Sequence, residues 1–484
     1  MDTSSIIALV VSIITVFNII LSAGVLFFER RDIGYTWAWL LVLLFIPIAG
    51  FVIYIFFGRK VQQKNFYHLT AEEKHFLQSE VDQQFRMIEE KKQNSSFYFQ
   101  KYAALIQMNL RSSNSLITTD NDIQIYHDGQ AKFDALFHDI NKAKKEINIQ
   151  YYIIQTDSLG KKLRDILTEK AKNGVKIRLL YDEIGSKKIS PHFFQSLRSV
   201  GGEVEVFFPS IIRPINFRIN NRNHRKLCII DGEVAYIGGF NVGDEYLGHN
   251  KKFGYWRDTH LRITGHAVND IQVRFFLDWR QAGKHKKGFS DHFLFNQAEP
   301  AGDIPLQIVS SGPNSRTEHL KIMYMKLIQG AKETVLIQTP YFIPDNSFMD
   351  ACKMALLAGV DLQIMIPNKP DHIFVYWATW AHAAELLDYG AKILLYEKGF
   401  LHAKTIVVDG EVASVGTMNI DSRSFRLNFE VNAIVYQKEI AQQLYDMFQE
   451  DRNYCSEITI ERYKKRSTII KIKEGISRLL SPIL

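Results

Sequence analysis

His224–Asn241 reads HRKLCIIDGEVAYIGGFN, and His402–Asn419 reads HAKTIVVDGEVASVGTMN. Nine of the eighteen positions are identical, and each identity keeps a separation of 178 residues. Apolar runs flank Asp231-Gly232 and Asp409-Gly410 on both sides. That pattern predicts two tight β-hairpins, because glycine tolerates the positive φ of the turn. The two aspartates then have a structural reading as turn formers, acting on any chemistry by holding the hairpin.

His224 and Lys226 lie two apart on a predicted strand, which puts them on one face, and so do His402 and Lys404. The residues around them changed between the copies: Arg225 corresponds to Ala403 and Leu227 to Thr405. Asn241 and Asn419 recur after Gly238 and Gly416, where a glycine lets the backbone approach a neighbour closely.

The repeat extends outward from the motif. Phe133, Leu136, Phe137, Ile140 and Ala143 follow helical spacing and lead into the strand-like INIQYYII. HLKIMYMKLIQGAKE leads into TVLIQTPYF in the same way, with Gln150 and Gln338 188 residues apart. NGVKIRLLYD pairs with AGVDLQIMIP, and GGEVEVFFP with YGAKILLYE. Helices alternating with short Val- and Ile-rich strands predict an α/β body of mixed sheets flanked by helices. Two tandem units, 115–295 and 296–484, would pack about a pseudo-two-fold axis and bring the motifs face to face.

Upstream, no charged residue occurs from Thr3 to Phe28 or from Ile33 to Gly58. Each run reaches the roughly 20 residues needed to span a bilayer. Glu29, Arg30, Arg31 and Asp32 separate them, so 1–58 is expected to form a hairpin of two transmembrane helices. Trp37, Trp39 and Tyr54 fall near the ends of the second span. A cleaved signal peptide would want a basic residue before the first run, where Asp2 stands. Arg59, Lys60 and Lys64 lean the body toward the cytoplasm. Residues 59–114 read as a helical connector, opened by Thr70 and Glu73 in capping-box spacing.

The 484 residues are 46% hydrophobic with a formal charge of +7, which suits an anionic partner such as a membrane surface or nucleic acid. Cys228, Cys352 and Cys455 are scattered, and suggest neither a disulfide framework nor a zinc site. No carboxylate-rich metal cage is visible, and a lysine beside each histidine disfavours a cation. Two lysines and two asparagines suit a phosphoryl group. One histidine could attack phosphorus while the other protonates the leaving oxygen. An alcohol intercepting the phospho-histidine would make the reaction a transfer.

H-x-K-x-x-x-x-D followed by G-x-x-N, twice and in register, resembles the phospholipase D superfamily. NRNHRK before the first motif, QTPYFIPD at Gln338, SSGPNS at Ser310 and the ending RLLSPIL are similar to bacterial cardiolipin synthases. The resemblance implies that two phosphatidylglycerols give cardiolipin and glycerol, without metal, nucleotide or other cofactor. It implies anionic membrane lipids as partners and no nucleic acid. By motif match His224 is the nucleophile and His402 the acid and later base. Lys226, Lys404, Asn241 and Asn419 would bind phosphoryl oxygens, with Asp231 and Asp409 completing the motif. A downstream carboxylate would orient each histidine, Asp258 in the first copy and Glu430 in the second. Many superfamily members have Gly-Ser before the asparagine, whereas this chain has Gly238-Gly239 and Gly416-Thr417.

Arg213, Arg218, Arg222 and Arg225 read either as a solvated face or as a landing strip for anionic headgroups. The basic-apolar run from Glu461 to Leu484 could lie on a membrane surface or close the body as a packed helix. A hydrolytic phospholipase D, a transphosphatidylase with another acceptor, a nuclease and a silent scaffold remain the competing functions. The membrane segment counts against the nuclease, and the intact motifs against the scaffold.

Overall fold

The computed structural model describes residues 2–28, 33–46, 49–54, 58, 66–67, 69–94, 97–210, 220–283 and 297–481. They form two compact units, 1–62 with 208–221, and 63–207 with 222–484.

In the first unit, Thr3–Phe28 is one helix. The second apolar run folds as Ile33–Phe45 and Ala49–Ile53. Among the described residues only Thr3–Gly24 is long and apolar enough to cross a membrane, so the expected second span is not confirmed. Glu29 to Asp32, Arg59, Lys60, Lys64, Arg213, Arg218 and the last three residues lie outside the described residues.

The second unit carries the repeat. Its first half holds β1 (Ile117–Tyr126), β2 (Glu146–Tyr151), β3 (Lys176–Asp182) and β4 (Glu203–Phe207). Then come β5 (Arg222–Asn223), β6 (Leu227–Ile230), β7 (Val234–Gly238), β8 (Tyr255–Arg257) and β9 (His260–Thr264). The second half holds β10 (Ile304–Ser311), β11 (Thr334–Gln338), β12 (Phe342–Ile343), β13 (Asp361–Pro367) and β14 (Lys392–Tyr396). It continues with β15 (Gly399–Leu401), β16 (Thr405–Val408), β17 (Val412–Gly416), β18 (Ile420–Asp421), β19 (Asn428–Val435) and β20 (Cys455–Ile458).

A single sheet runs β20-β14-β13-β11-β16-β17-β19-β10-β1-β9-β7-β6-β2-β3-β4. Its order mirrors itself about the antiparallel β1–β10 seam, and β20 is the extra edge strand. The parallel neighbours β2, β3 and β4 need crossover connections, and the helix Ser158–Lys172 supplies the first. The helix Gly129–Lys142 is capped by Asp128, whose side chain accepts from the Ala131 amide. It buries Phe133, Leu136, Phe137 and Ile140, the face its sequence period marks out.

The connector is part of the body. Thr70 and Glu73 form the reciprocal capping box, Thr70 N donating to Glu73 Oε2 at 2.8 Å and Glu73 N to Thr70 Oγ1 at 3.1 Å. Val81, Ile88, Phe99, Leu105, Ile106 and Leu110 from its helices join the core of the second half. Gln84 ties it to β1 through both the amide and the carbonyl of Ile117.

Candidate active site

The two hairpins form at the two Asp-Gly steps. Asp231 has φ of 55° and Asp409 of 53°, and Gly232 and Gly410 are also left-handed. Asp231 accepts from the backbone amides of Lys144, Lys145 and Glu146 at 2.8 to 2.9 Å. Asp409 accepts from those of Lys332, Glu333 and Thr334. Each carboxylate thus pins its hairpin to the start of β2 or β11. Both carboxylates therefore make the turn-holding contacts that the Asp-Gly pattern predicts.

His224–Lys226 and His402–Lys404 are not strand residues as expected. Each triplet is a loop immediately before β6 or β16. Lys226 and Lys404 still share a purpose, because each Nζ donates to the carbonyl of its own histidine.

Short bridges carry each loop across to the other half. β5 pairs in parallel with the start of β19, and His224 N donates to Phe429 O at 2.9 Å. The next residue, Glu430, receives His224 Nδ1 at 2.9 Å through Oε2. Symmetrically, β15 pairs with β8, and His402 N donates to Arg257 O at 2.7 Å. Asp258 follows, with Oδ2 2.6 Å from His402 Nδ1. The carboxylates are therefore exchanged between copies: Glu430 serves the first histidine and Asp258 the second, the reverse of the expected assignment.

The Gly-Gly and Gly-Thr difference has a geometric cause. Thr417 Oγ1 donates to Glu430 Oε2 at 2.6 Å. At Gly239, the counterpart, an added Cβ would stand 1.9 Å from Asp258 Oδ1. The missing side chain makes room for the shorter carboxylate. Gly238 and Gly416 let neighbouring strands approach closely. A Cβ on Gly238 would meet the backbone of Thr259 and His260 at 2.5 Å, and one on Gly416 would meet Asn432 at 2.3 Å.

The asparagines differ. Asn241 Oδ1 accepts from Ile153 N at 3.0 Å, and its Nδ2 donates to Tyr246 OH at 3.0 Å. Asn419 Oδ1 is buried with no hydrogen-bond partner among the described residues. Aromatic rings, which the sequence did not single out, wall both histidines. Tyr152 packs edge-on against His224 at 4.9 Å, and Trp256 lies 5.3 Å from His402. Tyr152 sits in the repeated Gln-containing segment, which was the available signal.

Arg222 and Arg225 are buried rather than exposed as a landing strip. Arg222 pairs with Asp182 at 3.4 Å. Arg225 contacts both oxygens of Asp278 at 2.7 Å and donates to the carbonyls of Glu430 and Ser311 in the other half. Asp278 also accepts from Gln150, just as Asp451 accepts from the repeat-equivalent Gln338. The arginine of that second pair is Arg257, which bonds Asp451 at 2.8 Å. An arginine thus links the halves on both sides, from two unrelated positions in the repeat.

Burial dominates the electrostatics. It lowers the His224 pKa, with Lys226 and Lys404 adding to the effect and Glu430 opposing it. It holds His402 at about 4, reinforced by Lys404 and opposed by Asp258. Lys404 is lowered to about 8 by burial, and burial also holds Lys226 well below its ordinary value. Burial works against the Glu430 carboxylate, but His224, Lys226 and Thr417 overcome it and keep its pKa below the ordinary value. With both Nδ1 atoms turned to carboxylates, each neutral imidazole carries its proton there and keeps a lone pair at Nε2. Two nucleophilic nitrogens and two lysines in one buried setting suit displacement at phosphorus.

The family model described as "Cardiolipin synthase, PLD-like domain" matches residues 136–269 and 324–452, and one described as "Phospholipase D-nuclease N-terminal" matches 7–59. The chain is 51% identical to the major cardiolipin synthase ClsA of Bacillus subtilis (strain 168), over 99% of this chain and 100% of that one. It is 50% identical to cardiolipin synthases of Staphylococcus aureus (strain N315), over 97% and 95%, and of Listeria monocytogenes serotype 4b (strain F2365), over 98% of each. Among solved structures, phosphatidylserine synthase of Haemophilus influenzae Rd KW20 superposes with a TM-score of 0.59 at 15% identity, covering 79% of this chain and all of that one, a likeness of fold. The doubled motif, the mirrored sheet and half-identity along nearly the whole chain place this protein in the cardiolipin synthase family of the phospholipase D superfamily.

Proposed function

We propose that the protein is a membrane-bound phosphatidyltransferase that converts two phosphatidylglycerols into cardiolipin and glycerol. The observation that carries this reading is the exchanged pair of His–carboxylate contacts, His224–Glu430 and His402–Asp258, flanked by Lys226 and Lys404. Half-identity to cardiolipin synthases supports the choice of reaction within that chemistry.

His224 Nε2 attacks phosphorus while Glu430 takes up the positive charge growing on the ring. The phosphorus–oxygen bond to the departing glycerol breaks, and His402 gives that oxygen its proton. The second phosphatidylglycerol then brings a glycerol hydroxyl to His402, which removes the proton as the oxygen attacks the phospho-histidine. The phosphorus–nitrogen bond breaks and both histidines return to their starting state. An anionic phosphodiester beside the lysines raises the depressed His402 and Lys404 pKa values, so protonation arrives with the substrate. Asn241 is committed to the loop, and Asn419, whose buried Oδ1 has no partner among the described residues, is the asparagine that would meet a phosphoryl oxygen, donating through Nδ2.

Residues 33–58 supply the second membrane span, and the body faces the cytoplasm. The charge-free run and the following Arg59, Lys60 and Lys64 support this, as do three unpaired cysteines. A reporter fused after residue 484 tests it by its accessibility in whole cells.

Purified full-length enzyme supplied with phosphatidylglycerol should give cardiolipin and glycerol in equal amounts. Phosphatidic acid as the main product would replace the transferase with a hydrolase. His224→Ala and His402→Ala should each abolish turnover in a folded protein, and a quenched reaction should carry a phosphatidyl adduct on His224.

A further inference from the structure

The helix Thr468–Leu480 is turned inside out for a soluble surface. It exposes Ile469, Ile472, Ile476 and Leu479, with Leu479 83% exposed, and buries Glu474 and Ser477 at 3% and 1%. A helix closing a soluble core would show the opposite pattern. Its neighbour is the helix Ile373–Glu385, and three contacts fix the pair as parallel. Lys473 Nζ lies 5.4 Å from the Trp377 ring, Arg478 reaches Glu385, and Ser481 bonds His382. The starts of both helices therefore lie together, and there Ile373 and Phe374 are also exposed. Tyr376, Trp377 and Trp380 are half-buried beside them.

We propose that these two helices form a docking face that lies on an anionic bilayer and holds the catalytic site at the headgroup level. The exposed isoleucines, Phe374 and Leu479 enter the acyl boundary, and Trp377 sits at the interface, where aromatic rings are favoured. Exposed Lys464, Lys465, Lys471, Lys473 and Arg478 surround the stripe, with Glu474 turned inward. A second copy seated on this stripe would meet the same positive charges, whereas an anionic membrane complements them. The face borders the site. Tyr341 donates its hydroxyl to Asp371, two residues before exposed Ile373, and the Asp371 charge is among those acting on Lys404. Docking needs only the bilayer, but its effect on turnover rests on the lipid-transferase reading.

A test places an environment-sensitive fluorophore on Ile472→Cys in a Cys455→Ser background, in the full-length protein. The protein is reconstituted in phosphatidylglycerol–phosphatidylcholine vesicles with or without doxyl-labelled lipid. A blue-shifted emission quenched by shallow doxyl groups is expected. Water-like emission would overturn the proposal, and so would a blue shift that doxyl lipid does not quench, which marks a protein partner. In parallel, Ile469→Asp with Ile472→Asp should lower turnover on vesicles about tenfold, while a dispersed short-chain phosphatidylglycerol is turned over within about twofold of the parent. Equal loss on both substrates would make the face merely structural. If the parent forms no cardiolipin at all, the transferase reading fails while the quenching result still decides the docking.

Discussion

Thr417 Oγ1 and His224 Nδ1 converge on one atom, Glu430 Oε2, at 2.6 and 2.9 Å. Two donors on one oxygen hold the carboxylate ionised and fix the ring it faces. Thr417→Val keeps the shape and removes one donor. It should lower kcat about tenfold, the effect of about 1.4 kcal/mol, with a small change in KM. Steady-state kinetics on vesicles measure it, and an unchanged kcat would remove Thr417 from the support of His224.

Gly239→Ser is the mirror experiment. It would install the residue many superfamily members carry, yet its Cβ would stand 1.9 Å from Asp258 Oδ1. The carboxylate must then leave His402. Loss of at least about a hundredfold in kcat is expected, with the fold retained, because an orienting group of a paired base is lost. Activity near the parent level would mean that Asp258 has another place to go.

Most of the sheet was legible because β2, β3, β11 and β13 are buried apolar runs bounded by turn residues, and each occurs twice. The exchange of Asp258 and Glu430 was not. It depends on β5 and β15, bridges of two and three residues that pair with the other half. Such segments are too short to leave a period in the sequence. Arg222 and Arg225 looked like surface charge because a sequence does not display Asp182 and Asp278, the partners that make their burial affordable. The second apolar run carried length and hydropathy, but its described residues form two separate helices, Ile33–Phe45 and Ala49–Ile53.

The low pKa of His402 links stability to pH. Burial, then Lys404, hold it at about 4 against an ordinary 6.5. Between those values the unfolded chain binds a proton that the folded one does not, so stability falls as pH falls from 6.5 toward 4. The difference corresponds to about 3 kcal/mol. His402→Gln cannot titrate, so its thermal unfolding temperature should drop less than the parent's on going from pH 7.5 to 4.5. Equal drops would show that His402 is not the group responsible.

Asp231 separates a structural from a chemical role. Its two oxygens hold three backbone amides, and its φ of 55° is one that Asn also adopts readily. Asp231→Asn retains one accepting oxygen and the turn, though it loses the charge. It should unfold a few degrees lower and keep a substantial part of kcat. Asp231→Ala leaves all three amides without that partner in a left-handed turn, and should cost about 3 kcal/mol or more. Unfolding curves and kinetics on the same preparations give both numbers. If Asp231→Asn were folded and inactive, the carboxylate charge itself would be required by the reaction, and its three amide bonds would be incidental to its retention in the motif.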